Sequence, residues 1–161
     1  MITPQPSNFA FIGRVWPELL IHCRNAEQSA VSNPRVAGIE ARFTLERLVD
    51  HIVEAYGLRS VSDWNLNNKL NYRSFKDRVN QRIHDKMNVL RRFGNDAAHN
   101  PDHIDPERAV RAVGQLFDIL VWAAVNVARP PLERTKLPTF DRSIVYNAPK
   151  QRQRSQQEIA K

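Results

Sequence analysis

Arg92, Asn95 and His99 are the residues whose types and spacing best support chemistry in this chain. They lie in the run Arg92-Phe93-Gly94-Asn95-Asp96-Ala97-Ala98-His99, three and then four positions apart. On a helix, that spacing lines up a guanidinium, a carboxamide and an imidazole along one stripe. An imidazole titrating near neutrality moves protons, and a planar guanidinium grips a phosphate or carboxylate with two donors at once. The same residues also suit a structural role. A histidine in a last helical turn gains from unpaired carbonyls, and an asparagine stabilises the turn beyond it. Arg92, Asn95 and His99 are therefore the candidate catalytic set, with binding and helix stabilisation as the competing roles.

The element that must position them is a helix expected over about 74–99, stopped by Asn100-Pro101 because the residue before a proline is pushed out of the α region. Its inward stripe reads Val79, Ile83, Met87, Leu90, Gly94 and Ala97, which leaves the polar stripe facing outward. Three more helices should surround it. The first starts at Trp16-Pro17-Glu18, with Leu19, Leu20, Cys23 and Ala26 inward, and runs to about Ala30. The second opens at Asn33-Pro34, with Asn33 as its capping side chain, and stops at Gly57. Its inner face is expected to hold Val36, Ile39, Phe43, Leu45, Leu48, Val49, Ile52, Val53 and Tyr56, and Arg42 pairs with Glu46 one turn on. The last opens at Asp105-Pro106-Glu107, carries Ala109, Val110, Val113, Leu116, Phe117, Leu120, Val121 and Ala124 inward, and ends before Pro130-Pro131. Between the second and third lies an Asn- and Ser-rich stretch, 58–73, expected to be a loop with a short helical piece held down by Trp64, Leu66 and Leu70. Residues 1–8 are an irregular lead-in, with Phe9, Phe11 and Ile12 as an apolar anchor. The fold class expected is all-α, a bundle of four principal helices with an extended C-terminal tail.

Charge narrows the function classes. The net charge of +7 is unevenly placed. Residues 1–128 hold 16 Lys/Arg against 14 Asp/Glu, whereas residues 129–161 hold 8 against 3. The excess belongs mainly to the tail, so a domain that clamps nucleic acid with a broadly basic surface is not what this distribution describes. The tail offers a weak, salt-sensitive attraction for phosphates, or simply a solvated linker. One cysteine rules out an intrachain disulfide, and Cys23 on an apolar face reads as an inert core thiol. His22, His51, His84 and His103 are scattered without metal-ligand spacing. No Gly-rich phosphate loop is present, and no serine or cysteine stands in a recognisable nucleophile setting. The start of the chain lacks the pattern of a signal peptide, and no membrane span is expected, so the reading is a cytoplasmic protein with no metal and no cofactor.

Three segments together resemble a known family. SNFAFIGRVWPELL, NPRVAGIEARFTLERLV, and LRRFGNDAAH with the following IDPERAVRAVGQLFDILVWAA are similar, in the same order, to one helical domain of unknown function. That domain stands at the amino end of type I restriction endonuclease R subunits (HsdR-like) and of related DEAD/DEAH-box helicases, and is placed in the HEPN superfamily. The resemblance covers about residues 7–128. It implies a HEPN-like domain over 1–128, then a basic, proline-containing linker over 129–161 leading into a coiled coil that QRQRSQQEIAK would begin. The helicase and nuclease motifs of those larger proteins are absent from this chain, so their ATPase and DNA-cleavage chemistry does not carry over.

Many HEPN proteins are metal-independent ribonucleases that use an arginine and a histidine several residues apart, positions that Arg92 and His99 match. Two copies joined across a helix–helix dimer would then present two such pairs to one RNA phosphodiester. The sequence departs from the active pattern where a polar residue directly follows the arginine: here Phe93 stands in that place, and the polar residue is Asn95. The function expected is an accessory, interaction domain of a restriction-type DNA-defence protein that binds nucleic acid or nucleotide weakly. Its partners would be a second copy or other modules and subunits of that complex. The alternative is a dimeric HEPN ribonuclease working through Arg92 and His99. A small-ligand sensor is a third class, with no residue pattern pointing to it.

Overall fold

The computed structural model describes residues 5–160, so the first part of the expected lead-in, residues 1–4, lies outside the described residues, as does Lys161. Helices account for nearly all regular structure: α1 (Pro17–Ser29), α2 (Pro34–Ala55), α3 (Leu66–Asn71), α4 (Arg73–Lys76), α5 (Gln81–His99), α6 (Pro106–Asn126) and α7 (Arg142–Ala160). No strand occurs among the described residues. The fold is all-α.

The helix boundaries follow from local chemistry. Proline stands in the first turn of α1, α2 and α6, where its missing N–H would have had no partner anyway. Asp105 caps α6 by accepting from the Arg108 N–H at 2.7 Å. Asn33 precedes α2 as expected, but its side chain makes no capping bond. At the far end of α2, Gly57 adopts φ +68, a left-handed conformation open to glycine at little steric penalty. The chain then folds back so that Gly57 N–H donates to the Glu54 carbonyl at 3.2 Å and Leu58 N–H to Val53 at 2.9 Å, the paired bonds of a Schellman stop.

Helix α2 is central. It packs on α1 and α5 along its length and touches α6 as well. Its inward positions include Ala37, Gly38, Ala41 and Thr44, followed by Leu45, Leu48, Val49, Ile52 and Val53. Ile39 and Phe43 were expected inward but stand 46% and 36% exposed. The small residues occupy the positions where α1 and α5 close in, which turns the two larger side chains to the rim.

The helix expected over 74–99 is divided. Residue 74 falls in the short α4, and after a turn Asn80 accepts from the Ile83 N–H at 2.9 Å and starts α5 at Gln81. A capping amide prevails over apolar periodicity here, because Val79 stays buried in register with the stripe while lying outside the helix. Trp64 was expected to tuck onto the core, yet it stands 44% exposed, edge-on to Tyr72 at 5.4 Å. Leu66 and Leu70 do pack inward. Lys69 and His84 fasten this segment: Lys69 reaches Asp50 on α2 at 2.8 Å, and His84 Nε2 donates to the Leu70 carbonyl at 2.7 Å.

Helix α6 carries ten buried residues and is long and apolar enough to cross a membrane by length and composition. In the bundle it serves as a core helix, packed on α5, α2 and α7. The segment expected to be an extended connector keeps that form only to Asp141, apart from a short 3-10 turn at Arg134–Lys136. Phe140 lies against Phe117 at 5.4 Å, and Val145 and Ala148 of α7 are buried. Pro149 sits inside α7. Asn8 joins the two ends of the fold. Its backbone N–H and Nδ2 both donate to Glu27 Oε2, at 2.8 and 3.1 Å, and its side chain exchanges two hydrogen bonds with the Asp141 backbone.

Candidate functional site

Helix α5 holds its geometry to His99, where Asn100 N–H closes the last turn on the Asp96 carbonyl at 2.7 Å. Its C-terminal carbonyls are met from α2: Arg35 Nε donates to Ala97 O at 3.0 Å. This is the capping that a helix end requires when its own ladder runs out. Arg92, Asn95 and His99 thus share one helical stripe, about 10 Å from first to last along the axis. Arg92 and His99 are exposed and Asn95 is half-buried. None of the three side chains has a hydrogen-bond or ion-pair partner among the described residues.

The residue after Arg92 behaves differently. Phe93 is 1% exposed, and Arg108 of α6 lays its guanidinium over the ring at 5.2 Å. Arg108 also donates to Asp96 Oδ2 at 2.6 Å and to the His103 carbonyl at 3.0 Å. That hydrogen bond from Arg108 holds the Asp96 carboxyl below the usual carboxylate range. Phe93 and Asp96 are committed to holding α5 on α6, and they leave the stripe itself free.

On its other flank the stripe borders α2, and two glycines set that approach. A Cβ on Gly38 would sit 2.6 Å from Ala97 Cβ, and a Cβ on Gly94 would sit 2.5 Å from Arg42 Cβ. The Arg42 stem therefore crosses α5 over Gly94, and its guanidinium reaches Glu46 at 3.0 Å, the ion pair read from the sequence. Beside this crossing is an open apolar hollow of about 270 Å³, lined by Ile39, Arg42, Phe43, Glu46, Gly94 and Ala98. Arg91 completes the neighbourhood. Its Nε is buried without a partner among the described residues. Burial, then the nearby Arg92 and Arg42 charges, pulls its pKa below the ordinary guanidinium value. Three arginines are thus gathered here, and Glu46 is the carboxylate paired with one of them.

The spacing of Arg92, Asn95 and His99 is legible in the sequence, whereas the places of Arg91, Ile39 and Phe43 at this face are not. The signal for the last two was a pair of apolar residues four apart among Arg35, Arg42, Glu46 and Arg47. The remaining candidates lie elsewhere. His22 pairs with Glu40 and His51 with Glu18, each at 2.7 Å. Cys23 is fully buried, and burial pushes its thiol far above the ordinary range, consistent with a core residue.

A family model described as a domain of unknown function, DUF4145, matches residues 24–155. The chain belongs to the DUF4145 family. The match takes in α2 through most of α7, so the α2–α5 face and the packed connector both fall inside the family's unit. Comparisons with curated proteins and with solved structures gave no match.

Proposed function

We propose that this DUF4145 domain is a non-catalytic interaction module of a restriction-type, cytoplasmic DNA-defence protein of the HsdR-like helicase–nuclease kind, and that it has a HEPN-type fold. Its working surface is the outward stripe of α5 with the adjoining rim of α2, which takes up nucleic acid or nucleotide weakly, or another module of the same complex. One observation carries this reading. Arg92, Asn95 and His99 stand unpartnered on an open helix face, next to Arg91 and the exposed Ile39 and Phe43. Such a face, with apolar rings and arginines but no enclosing walls, is chemistry for contact rather than for shielding a reaction from water.

The test is binding of single-stranded RNA and DNA by the purified chain, with and without Arg91→Gln/Arg92→Gln. Weak binding that falls steeply with salt, and about tenfold in the double variant, is expected. Binding indifferent to both substitutions removes this surface from the proposal.

The second reading, a HEPN ribonuclease, is favoured by the Arg92 and His99 side chains being on one stripe with no competing partner. In that reaction a ribose 2′-oxygen forms a bond to phosphorus as the bond to the 5′-oxygen breaks. His99 of one copy takes the hydroxyl proton or supplies one to the leaving oxygen, while Arg92 neutralises the phosphate. RNA cleavage in the presence of chelator, abolished by His99→Ala with the melting temperature unchanged, would establish it. An intact RNA substrate after prolonged incubation would dismiss it.

A further inference from the structure

A second site stands apart from the α5 stripe and shares no residue with it. Between the outer face of α6, the start of α5 and the connector before α7 lies a cavity of about 410 Å³. Pockets of this size hold a small organic molecule. Its floor is aromatic. Phe117 and Phe140 meet at 5.4 Å with their planes tilted 41°, and the half-buried Trp122 adds an indole one turn along α6. Phe140 is fixed there because Gly114 leaves room for it: a Cβ at that position would lie 3.1 Å from the ring.

The rim is cationic. Arg82 and Arg134 line the cavity from opposite segments of the chain, and neither guanidinium has a partner among the described residues. Asp118, the carboxylate in the lining, is already engaged by Lys86. The local balance therefore favours an anion. Aromatic side chains beside two unpartnered guanidiniums suit a ligand with an aromatic body and a phosphate, since aromatic faces stack on bases and a guanidinium binds phosphate oxygens in pairs.

We propose that this cavity binds a mononucleotide, with its base against Trp122 and Phe140 and its phosphate held between Arg82 and Arg134. The site requires the connector, which supplies Arg134 and Phe140, to be folded onto α6.

The experiment titrates the full chain with AMP, adenosine and inorganic phosphate, read by calorimetry and by tryptophan fluorescence. Saturable AMP binding at least tenfold tighter than that of adenosine or phosphate is expected. Arg82→Gln/Arg134→Gln should remove that preference for AMP over adenosine. Trp122→Phe should abolish the fluorescence change while calorimetry still records binding. Arg59→Gln, whose guanidinium pairs with Glu54 away from both the cavity and the α5 stripe, should leave the titration unaltered. The proposal is overturned by any of three results: no saturable AMP binding, equal affinity for AMP and adenosine, or a double arginine variant that binds like the parent. AMP binding lost in Arg92→Gln/His99→Ala but retained in Arg82→Gln/Arg134→Gln would also overturn it, and would assign the nucleotide to the α5 stripe instead.

Discussion

Asp96 and Glu27 are two carboxylates whose surroundings push them in opposite directions. Asp96 is stabilised as an anion by Arg108, so its folded-state pKa is depressed. Stability gained from a depressed carboxylate is present above the unfolded pKa and is lost as pH falls through the folded one. Asp96→Asn should therefore lower the melting temperature at pH 7, and the difference from the parent should vanish as pH falls through about 4 and below. Glu27 is 1% exposed, and burial raises its pKa against the opposing pull of the Asn8 donors. A raised carboxylate contributes fully below the unfolded pKa and loses that contribution as pH rises through the folded one. Both Asn8 donors meet the same Glu27 oxygen, so a glutamine keeps their acceptor and removes the buried charge. Glu27→Gln should be more stable than the parent by urea unfolding at pH 8, with the advantage shrinking toward pH 4.

The α2–α5 pair depends on close backbone approach, because each helix contributes a glycine facing a side chain of the other. Gly38→Ala forces its new methyl onto Ala97 and should destabilise the domain by about 1–3 kcal/mol, measured by chemical denaturation. Gly94→Ala displaces the flexible Arg42 stem rather than a core residue, so its loss of stability in the same denaturation should be the smaller of the two. At the other end of α5, Asn80→Ala removes the cap and should reduce stability by about 1 kcal/mol. The helix start is the element-level feature that periodicity misjudged. Apolar spacing runs continuously from Val79 into α5, but a helix begins where its first amides find an acceptor, and the Asn80 side chain supplies one.

The ends of the chain close the fold together. Asn8 bridges Glu27 and Asp141, while Phe140, Val145 and Ala148 cover α1 and α6. A chain shortened to residues 1–128 would uncover Phe117, which is 4% exposed in the intact bundle. Its calorimetric melting temperature should fall by about 5 °C or more. The proline-rich connector reads as a linker by composition, yet it is a lid on α6. Composition reports solvation of an isolated segment; it does not report that Gly114 leaves a slot for a phenylalanine 26 positions later.

Local rules settled the all-α class, the starts at Pro17, Pro34 and Pro106, the stop at Gly57 and the single stripe bearing Arg92, Asn95 and His99. Those features depend on residues within a turn or two of one another, and helical spacing makes them legible in one dimension. The outward turn of Ile39 and Phe43, the crossing of Arg42 over Gly94, the stranded Nε of Arg91 and the cavity beneath Phe140 belong to another order. Each arises from which two distant segments meet and how closely, and the relative placement of helices is set by packing among side chains far apart in the chain.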